Sequence, residues 1–292
     1  VITRKVHELP FRLLAARWPD NNRGGAREKM NEAKQYNYRY MTYVHGYHQR
    51  EQARLQDQAS TLVELLHADT VYPEGSRVLE AGCGVGAQTV TLAGRSPGAT
   101  IISVDISERS IVEASEKIRK AGYSNVWFRQ ADIFQLPFDP ETFDHIFVCF
   151  VLEHLASPVE ALRSLGTFLK PGGTITVIEG DHGSACFYPE SEAAQKVIHC
   201  QVELQKRAGG NANIGRELYP LLRASGFGHT EVTPRMVYVD AGIPELVEGF
   251  IKNTFTAMIE GVRQPALDAG LSDAVTFDEG VRALYRTMEK DG

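Results

Sequence analysis

The sequence predicts an α/β protein with a doubly wound, mostly parallel sheet, and three observations carry that expectation. From Arg77 to Glu179, short apolar runs alternate with amphipathic helical stretches, as parallel strands joined by crossover helices require. Within that span Phe143–Phe150, apolar from Ile146 onward, reads as a strand covered on both faces. Finally, Arg77-Val78-Leu79-Glu80-Ala81-Gly82-Cys83-Gly84-Val85-Gly86 reads as a short buried strand running into a glycine-rich turn that opens a helix, Ala87–Ala93.

The remaining elements follow in chain order. Residues 1–30 are irregular, broken by Pro10, Pro19, Asn21-Asn22 and Gly24-Gly25, with room for one helix through Phe11–Trp18. So short a helix is marginal in water unless its apolar face docks, and exchange of the segment between subunits is an economical solution. From Met30 a helical pattern sets Tyr36, Tyr40, Tyr43 and Tyr47 on one face. A second helix, His48–His67, ends before Pro73-Glu74-Gly75. After the glycine turn, Ala99–Val104 is a strand ending at Asp105, and Ser107–Ala121 is its helix with Ser107 as N-cap. Asn125–Arg129 is the third strand, Pro158–Leu169 a helix, and Thr174–Glu179 the fifth strand. A mostly helical insertion follows, then a helix at Ile214–Ala224, a long strand at His229–Val239 broken by Pro234, and amphipathic helices over 244–290. The expected division is an N-terminal extension (1–35), a core (36–240) with a helical insertion (184–213), and a C-terminal helical cap (241–292). N-terminal helices and the insertion together would cover the sheet edge.

A net charge of −6 over 292 residues argues against an electrostatic grip on nucleic acid or anionic lipid. Cys83, Cys149, Cys186 and Cys200 have no metal-ligand spacing and read as reduced thiols of a cytoplasmic protein. No carboxylate trio suggests a metal, and no apolar run is long enough to span a bilayer. Because the chain begins at Val1 and shows no strand pattern after its last helix, further sequence is expected at both ends.

Gly82, Gly84 and Gly86 remove three Cβ atoms, so the backbone can turn sharply against a ligand faced by the N–H groups of the next helix. A dinucleotide would want G-x-G-x-x-G/A, which Gly82, Gly84 and Ala87 meet weakly. Glu80 argues against it, because a carboxylate two residues before Gly82 repels a pyrophosphate and suits a cationic amino acid. S-adenosylmethionine carries an ammonium and a sulfonium and no phosphate. The stretch resembles motif I of the class I S-adenosylmethionine-dependent methyltransferases, whose sheet is Rossmann-like. Asp105 lies 23 residues beyond Gly82, where a carboxylate accepts both ribose hydroxyls. The resemblance further implies that Asp132 meets the adenine amine, with Ile106 and Ile133 beside it. It places Cys149 and Phe150 under the methionine moiety and Cys83 in the loop.

Within that family the chain is similar to the ubiquinone/menaquinone C-methyltransferase-like small-molecule enzymes. It shares with a group of them His45-Gly46-Tyr47, Cys149-Phe150-Val151-Leu152-Glu153-His154 and Glu179-Gly180-Asp181-His182-Gly183-Ser184. An Asp/Asn-Pro-Pro-aromatic run of amide and nucleobase N-methyltransferases is absent. The catalytic candidates are His154, His182 and Tyr47, the last placed by the resemblance where an N-terminal helix folds over the cofactor. Each has a plainer reading: His154 as a helix-start residue, Glu153 beside it as its orienter or a solvated side chain, and the tyrosines as core or interface. The expectation is C-methylation of a small, largely apolar acceptor, prenylated or quinone-like, in natural product biosynthesis. The alternatives are O-, N- or S-methylation of a small aromatic metabolite with a histidine base, and a non-catalytic S-adenosylmethionine-binding subunit. The expected assembly is a homo-oligomer without nucleic-acid or membrane partners.

Overall fold

The computed structural model describes residues 57–289, together with Arg54 and the pair Ala16–Arg17. The tyrosine stripe, Tyr47 included, lies outside the described residues. The sheet contains β1 (Ala16–Arg17), β2 (Arg77–Ala81), β3 (Thr100–Asp105), β4 (Val126–Gln130), β5 (Phe143–Cys149) and β6 (Leu169–Ile178). Their order is β1-β6-β5-β2-β3-β4; β2 to β6 are mutually parallel and β1 is antiparallel to β6. The winding therefore reverses between β2 and β5, and open α/β sheets bind ligands beyond the strand ends at such a point. Register brings the chemistry there: Ala81 lies opposite both Val104 and Val148, so the residues after β2, β3 and β5 emerge on one edge.

Burial explains the strands. Val78, Leu79, Ile101, Ile146, Phe147 and Val148 are fully buried, and one apolar layer lies on each side of the sheet. Helix α1 (Val63–His67) precedes β2, and the crossover helices α2 (Thr89–Arg95), α3 (Glu108–Ala121) and α4 (Pro158–Gly166) follow β2, β3 and β5. Ser107 caps α3, as expected, by accepting the Ser110 N–H at 3.2 Å. A second core joins the insertion helix α5 (Glu192–Arg207) to the C-terminal helices through Val197, Ile198, Met258, Ile259, Phe277 and Leu284. The insertion and the C-terminal region thus pack as one layer. Within it Val247–Thr256 is π-helical, with Thr254 Oγ1 donating to Gly249 O at 2.8 Å.

Two expectations require correction. The run expected to be helical at Phe11–Trp18 contains the strand Ala16–Arg17, paired with Ile175 and Thr174. A short apolar run suits either state, and the open edge of β6 offers it ladder hydrogen bonds. This pair gives β6 an antiparallel neighbour. His229–Val239 is not a strand. Residues 232–240 keep an alternating exposure, but Pro234 lacks an N–H and no described strand adjoins the segment. Among the described residues no helix is long and apolar enough to cross a membrane.

Candidate functional site

A cavity of about 1300 Å³ opens at the carboxyl ends of the strands. Single-ligand clefts span roughly 300–1,000 Å³, so this one has room for two small molecules side by side. One end is formed by the glycine turn. Gly84 has φ +51°, and a Cβ there would meet nothing within 4 Å, which leaves a cradle open to a ligand. Gly84 N–H donates to Asp105 Oδ2 at 2.8 Å, and Ser107 N–H to Oδ1 at 2.9 Å. Burial pushes the Asp105 carboxyl upward against those backbone donors. Asp132 Oδ1 accepts the Phe134 N–H at 2.9 Å, a turn that presents Asp132 and Ile133 at the end of β4.

Of the residues expected to meet a cofactor, Gly82, Cys83, Gly84, Asp105, Ile106, Asp132, Ile133, Cys149 and Phe150 all line this cavity. Glu80 and Gly86 do not. Glu80 is 2% exposed, and its Oε2 accepts Thr89 Oγ1 at 2.8 Å and Ser103 Oγ at 2.6 Å. Burial pushes its carboxyl up to about 7. Glu80 thus ties β2 to α2 and β3 beneath the turn instead of facing a cationic ligand. Gly86 serves packing: at φ +75° its Cβ would stand 2.9 Å from Ala114 Cβ on α3. Phe150, at φ +56°, holds a left-handed backbone conformation costly for a residue with a side chain.

The cavity wall also carries the histidines. After β5 the chain makes a single 3₁₀ turn, Leu152–His154, and Glu179 caps it from the end of β6. Glu179 Oε1 accepts the N–H groups of Val151 at 2.9 Å and Leu152 at 2.8 Å. Burial, with the Glu153 charge adding to it, pushes Glu179 up to about 8. Glu153 is 7% exposed rather than solvated. Its Oε1 lies 3.7 Å from His154 Nε2 and its Oε2 3.6 Å from His182 Nε2. Burial opposes its charge, but His154 and His182, with a hydrogen bond from Gln205, hold it well below the usual carboxylate range. The pair of histidines and the carboxylate between them all reach the cavity wall.

Sequence reasoning missed three contributors. Gln205 comes from α5 and donates to Glu153 Oε2 at 2.9 Å and to Glu153 O at 3.1 Å. Arg216 grips Asp181 through Nε, at 3.0 Å to each carboxylate oxygen, and both residues line the cavity. The extended segment around Arg235 supplies a wall, fixed where Arg235 donates to Leu65 O at 2.8 Å and Leu66 O at 2.6 Å. None has a local motif; each is brought in by long-range packing. Among the described residues no cluster of three or more His, Cys, Asp or Glu has the arrangement to hold a metal ion.

A family profile described as a methyltransferase domain matches residues 73–226, just over half of the chain. The chain is 35% identical over 148 residues to an uncharacterized methyltransferase of Schizosaccharomyces pombe, covering 49% of this chain and 53% of that one. It is 36% identical over 105 residues to a demethylmenaquinone methyltransferase of Clavibacter sepedonicus, covering 36% and 41%. In fold it is similar to the phosphoethanolamine N-methyltransferase 2 of Haemonchus contortus, with a TM-score of 0.50 at 16% identity over 82% of this chain and 54% of that one. The chain spans 53% and 41% of the length of these two curated relatives.

Proposed function

The chain belongs to the class I S-adenosylmethionine-dependent methyltransferases, and from that premise we propose that its cavity methylates a small, largely apolar acceptor whose reacting group gives up a proton. The residues present fit the cofactor. The open cradle at Gly84 takes the close approach of a ligand, with Gly82 and Cys83 beside it. Asp105 and Ile106 would hold the ribose side, Asp132 and Ile133 the adenine side, and Cys149 and Phe150 the methionine side. When bound, S-adenosylmethionine supplies an electrophilic methyl, whose carbon–sulfur electrons return to sulfur as the acceptor's lone pair makes the new bond.

The observation that carries the reading is the buried Glu153 carboxylate set between His154 and His182 on the cavity wall. An imidazole backed by a carboxylate accepts a proton without leaving an unbalanced positive charge in a poorly solvated site. The protein otherwise positions the acceptor and keeps water away, which is where most of the rate of an in-line displacement arises. A hydroxyl on an apolar ring is the simplest acceptor of this kind.

A second reading, C-methylation of a quinone-like or prenylated natural product, is supported by the aromatic lining. Phe150, Phe187, Tyr188, Phe250 and Phe255 border the cavity, and each dry ring face can stabilise a cation by roughly 0.5–2 kcal/mol. Incubation with methyl-labelled S-adenosylmethionine and a panel of phenols, quinols and prenylated compounds separates the two. Label on oxygen supports the first reading and label on carbon the second. Full turnover by Glu153→Gln would remove the base from either.

A further inference from the structure

We propose that His182, through Nδ1, is the proton acceptor, and that Gln205 is the positioning residue that makes it so. This rests on the base-assisted reading above and assigns its parts. Both histidines turn Nε2 toward Glu153, one to each carboxylate oxygen. At 3.6–3.7 Å these are ion-pair separations, and a carboxylate oxygen facing each Nε2 favours the tautomer with the proton there, which leaves Nδ1 as the basic nitrogen. The two Nδ1 atoms differ in what they meet.

His154 Nδ1 lies 3.5 Å from Gln205 Nε2. The Gln205 amide has two N–H groups for three acceptors, namely Glu153 O, Glu153 Oε2 and His154 Nδ1, so it covers the His154 lone pair while fixing the carboxylate. Its own Oε1 accepts Gln201 Nε2 at 2.8 Å, and the two glutamines are 1% and 0% exposed. A buried amide chain from the insertion helix therefore sets the Glu153 carboxylate so that each oxygen serves a different imidazole. No described residue bonds His182 Nδ1, and His182 faces the cavity. Gly180 leaves room for its ring, since an added Cβ there would stand 3.1 Å from Nε2.

In the step itself, the acceptor's proton passes to His182 Nδ1, and the freed lone pair attacks the methyl carbon. The resulting imidazolium is balanced by Glu153. His154 then orients Glu153 and does not touch the proton.

The test combines long-range imidazole ¹⁵N spectra with turnover of labelled S-adenosylmethionine, using Gln205→Leu, His182→Gln and His154→Gln in the full chain. The expected result is Nε2–H tautomers for both rings in the unaltered protein and a mixed tautomer for His154 in Gln205→Leu. Turnover by Gln205→Leu should fall about tenfold to 100-fold while affinity for S-adenosylhomocysteine holds. His182→Gln should lose more turnover than His154→Gln. If Gln205→Leu does not fold, Gln201→Met loosens the same amide from behind and should shift the tautomers in the same direction. Unchanged tautomers, or a His154→Gln loss equal to that of His182→Gln, would overturn the proposal. Tautomers that shift without any change in turnover would uphold the positioning geometry and overturn the base reading beneath it.

Discussion

Gly84 donates its backbone N–H to Asp105 Oδ2 at 2.8 Å, which ties the glycine turn after β2 to the end of β3. One carboxylate thus shapes the cradle and lines it. Asp105→Ala should weaken S-adenosylhomocysteine binding by about tenfold or more, because each buried group left unpaired costs roughly 1–3 kcal/mol. Asp105→Asn, which keeps one acceptor oxygen, should lose less. Calorimetric titration decides, and equal affinity in all three proteins would remove Asp105 from the site.

The glycines separate ligand contact from packing. Both Gly84 and Gly86 have positive φ, so alanine at either incurs roughly 1–2 kcal/mol of backbone strain. Only at Gly86 would the new Cβ also strike α3, at 2.9 Å from Ala114 Cβ. Gly86→Ala should therefore melt well below Gly84→Ala. Gly84→Ala should instead show the greater loss of cofactor affinity per degree of melting temperature lost. The reverse ranking in thermal melts would contradict this assignment.

The contrast also shows what the sequence could reveal. Gly82, Gly84, Asp105 and Asp132 were legible because each sits at the end of a strand whose local pattern announces it, and parallel register brings those ends together. Glu80 belonged to the same pattern, yet its partners Thr89 and Ser103 lie on other elements, and nothing local indicated that they would capture it. Gln205 was invisible for a similar reason: it reaches Glu153 across 52 residues of chain from a helix that reads as an ordinary amphipathic one. His229–Val239 had the alternation of a strand, but no described strand lies beside it to form a ladder, and periodicity reports only the alternation.

Glu80 makes a pH prediction. Burial raises its carboxyl from 4.5 to about 7, so between those values the folded chain holds a proton that the unfolded chain has released. The associated stability is present below about pH 4.5 and is lost as pH rises toward 7. Glu80→Gln does not titrate. Its stability relative to the unaltered protein should therefore rise from pH 5 to pH 8 by on the order of 1–3 kcal/mol. Denaturant melts at the two pH values test this, and a constant difference would mean that Glu80 is not held neutral by burial.

Glu179 makes a prediction about the turn that carries Glu153 and His154. Glu179→Ala leaves the Val151 and Leu152 N–H groups without their acceptor and should cost about 1–3 kcal/mol. Urea unfolding measures that loss. Glu179→Gln, which retains one acceptor oxygen, should recover most of it, and equal losses would point to packing instead.

We propose that one cavity seats the cofactor at Gly84 and Asp105 and the acceptor beside His182. A crystal structure with S-adenosylhomocysteine bound tests it most directly. The ribose should lie against Asp105, the adenine along Asp132 and Ile133, and the sulfur should be directed across the cavity toward the face that carries His182 and Glu153. A ligand seated away from the Gly84 cradle, or one whose sulfur points away from His182, would contradict it.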